Sequence, residues 1–305
     1  MRILLVEDSA IDSYQVSRHL SDWGLEFRVV GNGLEAWKLL QEPEAPELVL
    51  TDWMLPGIDG IELCRRIRTL GSDGGYVYTV MLTAKDRKQD LLAAMEAGAD
   101  DYLAKPVDPS ELKARILVGK RILELQQSLR FAASHDFLTK LLNRGEILAG
   151  LKRELARSRR TDQSVAIILA DIDHFKHVND SLGHVAGDEA LREVSGRMKS
   201  NLRPYDLAGR YGGEEFLIIL PTCNLTPATH RAEQLRLSVS QDPVLTQFGS
   251  IPITLSIGVT VHNSDAELTV EGILQQADQA LYRAKARGRN CVQTFDPAAG
   301  ACAGS

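Results

Sequence analysis

Short apolar runs rich in Ile, Leu and Val recur through the first part of the chain, and each is followed by a stretch with helical spacing. The runs are Ile3 to Val6, Phe27 to Val30, Leu48 to Thr51, Val77 to Leu82 and Tyr102 to Ala104. Strands that alternate with helices must be joined by crossovers, so the rhythm dictates βαβ units and a parallel sheet. The residues that close the runs are chemical in character: Glu7-Asp8 after the first, Asp52 after the third, Thr83 after the fourth and Lys105 after the fifth. In an open α/β sheet those carboxyl ends converge on one crevice.

A length of 305 residues suggests two domains, at roughly 100 to 200 residues each. With 44% hydrophobic and 25% charged residues, the composition is that of globular protein and excludes disordered and fibrous classes. A net charge of -6 argues against a general phosphate-backbone binder, so no nucleic-acid partner is expected. No apolar stretch approaches the roughly 18 residues of a membrane span, and Met1-Arg2-Ile3-Leu4-Leu5-Val6 runs into acids too early for a signal peptide. A cytoplasmic location without membrane association is the expectation. Cys64, Cys223, Cys291 and Cys302 form no CxxC pair or histidine cluster and read as free thiols. The segment 297–305 lacks periodicity and reads as a disordered tail.

Three carboxylates, a hydroxyl and an ammonium in one crevice make an oxygen-rich site suited to Mg²⁺, which binds through few carboxylates plus phosphate oxygens. Asp52 can attack a phosphoryl group as a carboxylate nucleophile, with Thr83 and Lys105 stabilising its equatorial oxygens. The bond before Pro106 is a candidate for cis geometry. Through Val6-Glu7-Asp8, Thr51-Asp52-Trp53-Met54-Leu55-Pro56-Gly57, Leu82-Thr83-Ala84 and Tyr102-Leu103-Ala104-Lys105-Pro106, this half resembles response-regulator receiver domains, which have a flavodoxin-like doubly wound fold. The resemblance implies that Asp52 is the phosphoacceptor and that Glu7, Asp8, Asp52 and the Met54 carbonyl hold Mg²⁺. It also implies that Thr83 and Tyr102 form a switch pair and that a cognate sensor histidine kinase is the partner. Glu7 stands where many members have Asp, with the charge kept. Trp53 and Tyr102 otherwise read as packing aromatics.

From Pro109 the pattern is helical, with Gly119 its one breaker. Val118, Ile122, Leu125, Leu129 and Ala132 fall at alternating four- and three-residue steps, a short a/d seam too brief for a stable coiled coil alone. The alternative is that this seam packs on the chain's own domains.

Beyond it, Val165 to Ala170 is an apolar run that ends in Asp171-Ile172-Asp173. Leu207 to Tyr211 and Phe216 to Leu220 suggest a strand pair with Gly212-Gly213-Glu214-Glu215 at its tip. If these strands adjoin, Asp171 faces Glu214 and Glu215, and three acids that close call for a cation, here Mg²⁺. Gly212-Gly213 would admit a phosphate-bearing ligand, and Lys285 with Arg289, one helical turn apart, would add positive charge. A triphosphate fits.

The sequence here resembles the GGDEF family of diguanylate cyclases. The matching residues are Asp136-Phe137-Leu138-Thr139 with Asn143-Arg144, Asp171-Ile172-Asp173-His174-Phe175-Lys176, Asn179-Asp180, Gly183-His184 with Gly187-Asp188, and the signature Arg210-Tyr211-Gly212-Gly213-Glu214-Glu215-Phe216. Ser256-Ile257-Gly258-Val259, Ala277-Asp278, Ala280-Leu281-Tyr282, Ala284-Lys285 and Gly288-Arg289-Asn290 extend the match.

The resemblance implies a palm-like α/β domain with a mainly antiparallel sheet that condenses two GTP into cyclic di-GMP and two pyrophosphates. By it, Asp171, the Ile172 carbonyl and Glu214 bind Mg²⁺, with Glu215 an additional ligand. Amides around His174 and Phe175, with Lys176, Lys285 and Arg289, meet the phosphates; Asn179 and Asp188 read guanine, with His184 in support. Glu214 is metal ligand first and base second, because a free Glu near pKa 4.3 is a feeble base for an alcohol. Arg203-Pro204-Tyr205-Asp206 matches the RxxD product-inhibition site, with Gln234 near the expected place of its further arginine. Since one GTP cannot supply both attacking hydroxyls and both α-phosphates, the enzyme is expected to act as a homodimer.

The implied layout is a receiver domain at 1–117, a helical connector at 118–134, a cyclase domain at 135–296 and the tail at 297–305. A rival reading is a non-catalytic module that binds GTP or cyclic di-GMP; another is a purine nucleotide cyclase or mixed dinucleotide synthase on the same fold, which Asp188 disfavours. His135, His177 and His262 read as surface or packing residues.

Overall fold

Side-chain caps start the first helices where the sequence leaves each strand. Ser9, Asn32 and Asp59 accept hydrogen bonds from the amides of Asp12, Glu35 and Glu62, which satisfies donors that a helix start otherwise leaves unpaired. The computed structural model describes residues 1–70, 75–84, 88–263 and 269–295. The expected tail and Cys302 lie outside the described residues. The chain divides into two compact units, Met1–Arg130 and Phe131–Ser305.

The first unit runs β1 (Ile3–Val6), α1 (Ala10–Asp22), β2 (Phe27–Val30), α2 (Gly33–Leu39), β3 (Leu48–Asp52), α3 (Gly60–Thr69), β4 (Tyr78–Thr83), α4 (Lys88–Glu96), β5 (Asp101–Ala104) and α5 (Pro109–Ser134). Its strands pair in parallel in the order β2-β1-β3-β4-β5, which is the flavodoxin-like doubly wound topology. β1, β3 and β4 are buried throughout, as strands covered by helices on both faces must be. β1 and β3 are neighbours, with Val6 opposite Thr51, so Glu7-Asp8 and Asp52 emerge side by side at the switch point of strand order. Lys105–Pro106 is cis.

In α5, Leu112 and Ile116 are buried, and Ile122 packs on the same core. The rest of the expected seam faces outward: Val118, Leu125 and Leu129 are 46%, 55% and 64% exposed, and Ala132 is exposed too.

The second unit runs α6 (Arg144–Thr161), β6 (Val165–Ile172), α7 (Phe175–Leu182), α8 (His184–Ser200), β7 (Leu207–Arg210), β8 (Glu215–Leu220), α9 (Leu225–Ser240), β9 (Val244–Thr246), β10 (Gly249–Ile251), β11 (Leu255–His262), α10 (Val270–Ala286) and β12 (Val292–Thr294). The main sheet has the order β12-β11-β6-β8-β7 and is antiparallel except for the β11–β12 pair. Ala166, Ile168 and Ala170 of β6 join the core built with α8 and α9. Val165, Ile167 and Leu169 join the one built with α6 and α10. With both faces covered, β6 reads as a continuous apolar run and carries Asp171 out at its end. His262 is wholly buried, with neither ring nitrogen hydrogen-bonded, and burial holds its pKa below the usual value, with Arg159 adding to this.

One expectation fails here. Arg289 is not a helical turn beyond Lys285, because α10 ends at Ala286. Gly288, Arg289 and Asn290 take positive φ values of 105°, 67° and 44°, and the Arg289 amide donates to the Ala284 carbonyl at 3.2 Å. That bond is the long-range closure of a Schellman cap, which satisfies a terminal carbonyl by reversing the chain.

The first unit's scaffold depends on Arg68 of α3, whose guanidinium donates to the Gly98 and Val77 carbonyls at 2.7 and 2.8 Å and to Asp100 at 2.6 Å. Arg68→Met is expected to destabilise this unit by about 2 kcal/mol, measured as a lower urea midpoint with an unchanged slope.

Candidate functional site

In the first unit, burial of Glu7 is the dominant fact. Its side chain is fully enclosed at the end of β1, and burial, with the nearby Asp52 charge adding to it, pushes its carboxyl up while Lys105 pulls it back. Lys105 Nζ lies 2.7 Å from Glu7, 3.0 Å from Asp12 and 3.2 Å from Asp52. Burial alone would lower the ammonium's pKa, but these three acids outweigh it and raise it.

Oxygen atoms of Glu7, Asp8 and Asp52 all lie within 4.8 Å of one another. That is the donor set a hard divalent cation takes. Asp8 is exposed, as is Met54, while Thr83 is buried at the end of β4. Tyr102 is half-buried against the cluster of Cys64 and Met81, as is Trp53. Asp12 was absent from the sequence reading; its one local signal is its place in the first turn after the Ser9 cap.

In the second unit, the antiparallel register sets Asp171 directly opposite Glu215, and the Ile172 amide donates to the Glu214 carbonyl at 3.3 Å. Lys285 Nζ reaches from α10 to Asp171 Oδ2 at 2.8 Å. Burial raises the pKa of Asp171, with Glu214 and Asp173 adding to the effect and Lys285 opposing it. Glu215 is likewise raised, by burial first and then by Asp171. Asp171 and Glu215 are therefore acids whose ionised forms call for a cation. Among the described residues, though, the trio closing within 4.8 Å is in the first unit; Asp171, Glu214 and Glu215 stand further apart, with Lys285 partnering Asp171.

Asp173, two residues on, has another part. Its carboxylate accepts from Thr254 at 2.7 Å, Ser256 at 2.6 Å and the Asn290 amide at 3.0 Å, so it ties the end of β6 to β11 and to the segment carrying Arg289. Nothing in an Asp-Ile-Asp run distinguishes the brace from its neighbour.

The Gly212–Gly213 turn is held from outside. Arg210 donates to the Gly213 carbonyl at 3.0 and 2.8 Å and pairs with Asp136 at 3.3 Å. Asp136 also accepts from the amide and hydroxyl of Thr139. Burial would raise its carboxyl, but Thr139 and Arg210 together hold it below the ordinary value.

On the neighbouring helices, Lys176 of α7 and His184, the first residue of α8, are exposed, while Asn179 and Asp188 are half-buried. α7 and α8 meet where a Cβ on Gly187 would lie 2.0 Å from Asn179 Oδ1. Glycine at 187 thus leaves room for the Asn179 side chain beside the turn of α8 that bears Asp188.

Arg203 and Asp206 close a turn on themselves: the Arg203 amide donates to Asp206 Oδ2 at 2.9 Å, and the Asp206 amide to the Arg203 carbonyl at 3.0 Å. They line a cavity of about 90 Å³ with Arg231. Arg231 of α9, one turn before Gln234, donates to the Asn201 carbonyl at 2.5 Å.

Because Lys285 is the cation that opposes burial at Asp171, Lys285→Met is expected to raise the Asp171 pKa further. Carboxyl carbon-13 titration of the metal-free protein checks it: the Asp171 transition moves to higher pH, and an unmoved transition counts against the pairing.

The second unit matches the family model described as diguanylate cyclase, GGDEF domain, over residues 133–291, and the first matches the response regulator receiver domain over 3–117. Response regulator PleD of Caulobacter vibrioides is 34% identical over 301 residues, covering 95% of this chain and 65% of PleD. Diguanylate cyclase DosC of Escherichia coli is 38% identical over 189 residues, covering 60% of this chain and 41% of DosC. The coiled coil and GGDEF domain of DgcB from Caulobacter crescentus, solved with c-di-GMP, matches with a TM-score of 0.55 at 29% identity, covering 61% of this chain and 97% of that one. The chain thus spans less than two thirds of the length of these two curated relatives. Strand order, the acids at the strand ends and these matches agree: the chain belongs to the GGDEF family, with a response regulator receiver domain as its first half.

Proposed function

We propose that this chain is a receiver-controlled diguanylate cyclase that joins two GTP into cyclic di-GMP and releases two pyrophosphates. The observation that carries the reading is the register pair of Asp171 and Glu215 beside the Gly212–Gly213 turn, with Lys285 against Asp171. Bound Mg²⁺ would neutralise phosphate charge and make the attacking hydroxyl more acidic. Asp171, the Ile172 carbonyl and Glu214, with Glu215, are the groups to hold it. Lys176, Lys285 and Arg289 provide positive charge for the triphosphate, and the side-chain-free turn admits it.

Asp188 can accept from the N1–H and N2–H₂ donors of guanine, which adenine does not present in that arrangement, and Asn179 lies alongside. A site built on such hydrogen bonds discriminates because the wrong base leaves its polar groups unpaired. The 3′-hydroxyl of one GTP attacks the α-phosphate of the other, so two copies must face each other.

Phosphoryl transfer from a sensor histidine kinase to Asp52 supplies the control. Glu7, Asp8, Asp52 and the Met54 carbonyl would hold the receiver's Mg²⁺. Lys105 and Thr83 stabilise the transferred group, and Tyr102 pairs with Thr83 as the switch. The outward residues of α5, Val118, Leu125 and Leu129, give two copies an apolar seam too short to hold alone. Phosphorylation then raises the effective concentration of opposed cyclase domains. Arg203 and Asp206 bind the product as an inhibitor. The cytoplasm, where GTP is available, is the setting.

Chromatography of the products from GTP and Mg²⁺, with and without a beryllofluoride mimic of phospho-Asp52, tests the reading. Cyclic di-GMP is expected to form and to rise by about tenfold or more with the mimic. Dimeric protein that yields no dinucleotide in either state would instead be a nucleotide-binding module. In the same assay Arg203→Ala is expected to relieve inhibition by added cyclic di-GMP, and unchanged inhibition would remove the Arg203 site from the account.

A further inference from the structure

A cavity of about 550 Å³ lies between α8 and the turn that precedes α6, walled by Phe137 to Lys140 on one side and by Arg192, Ser195, Gly196 and Lys199 on the other. Arg192, Gly196 and Lys199 recur at helical spacing on one exposed stripe of α8. Its charged lining residues are Lys140, Arg192 and Lys199, with no carboxylate among the lining residues. Among the described residues none of the three makes an ion pair, although the chain's net charge is -6. Phe137 is 89% exposed, with Lys140 Nζ 4.4 Å from its ring centroid.

We infer that this cavity binds a nucleoside polyphosphate, with the base stacked on Phe137 and the phosphates among Lys140, Arg192 and Lys199. Cations without acidic partners are stabilised by a multiply charged anion, and an exposed ring supplies a stacking face that any base can use. The volume is that of a small-ligand site, about 300 to 1,000 Å³. With three cations set around one exposed aromatic, the lining suits a nucleotide, whose phosphates and base are held together in one molecule. No free carboxylate or amide lines it to read a base edge, so the site accepts adenine and guanine nucleotides alike. It is separate from the residues proposed for catalysis and product inhibition. A hydrogen-bonded line does lead from it to the glycine turn, from Thr139 to Asp136, Arg210 and the Gly213 carbonyl.

The test uses the full chain with Phe137→Trp; its own tryptophans, Trp23, Trp37 and Trp53, all lie in the first unit. Saturable quenching of the added emission by ATP and by GTP is expected, retained when Asp188→Ala is added. Inorganic tripolyphosphate should compete without quenching, which separates the phosphate from the base. Arg192→Gln with Lys199→Gln should weaken ATP at least tenfold while leaving the unfolding midpoint unchanged. The absence of saturable quenching, equal affinity in the neutralised variant, or a response to poly-glutamate alone would overturn the proposal, the last by making the groove a protein-docking surface.

Discussion

Carboxylates gathered at strand ends repel one another, and each unit answers that repulsion with one lysine brought from another element. Lys105 sits among Glu7, Asp12 and Asp52; Lys285 lies against Asp171, opposite Glu215. Without those ammonium groups, buried acids such as Glu7 would be left with desolvation and mutual repulsion acting the same way, toward protonation. The arrangement keeps oxygen atoms of several acids together at the mouth of a packed sheet, each group set against one ammonium.

The braces behind the two lysines differ in kind. In the first unit the strand order does the work, because β1 and β3 adjoin and deliver their acids together. In the second, side chains do more. Asp173 fastens the end of β6 to Thr254, Ser256 and Asn290, and Arg210 holds the Gly213 carbonyl while itself held by Asp136. The glycine turn is thereby fixed from the side of Arg210, while nothing lies within 4 Å of where a Cβ on Gly213 would stand.

Much of this was legible along the chain. The strand runs of the first unit fall within a residue or so of the observed elements, since apolar runs and their bounding residues are local signals. Asp171 could be set opposite Glu214 and Glu215 only on the condition that their strands adjoin, since the hairpin signal at Gly212–Gly213 joins β7 to β8 and says nothing of β6. The seam in α5 was only partly readable: the heptad spacing is real, but Ile122 packs on the first unit's own core, which spacing alone cannot reveal. The one-turn spacing of Arg289 from Lys285 failed for a different reason, since a helix continued past Ala286 in the pattern while Gly288 reversed the chain.

By itself, then, the sequence determined which chemical groups close the strands and which glycines leave room between them, because those follow from neighbours along the backbone. Tertiary structure alone decided which charges meet. Asp12 completes the Lys105 cluster, Asp136 clamps an arginine 74 positions away, and Arg231 lines one cavity with Arg203. Such contacts depend on strand order, helix register and the exact end of a helix, and a shift of one residue in any of these redirects a side chain by about 100° on a helix or to the opposite face of a sheet.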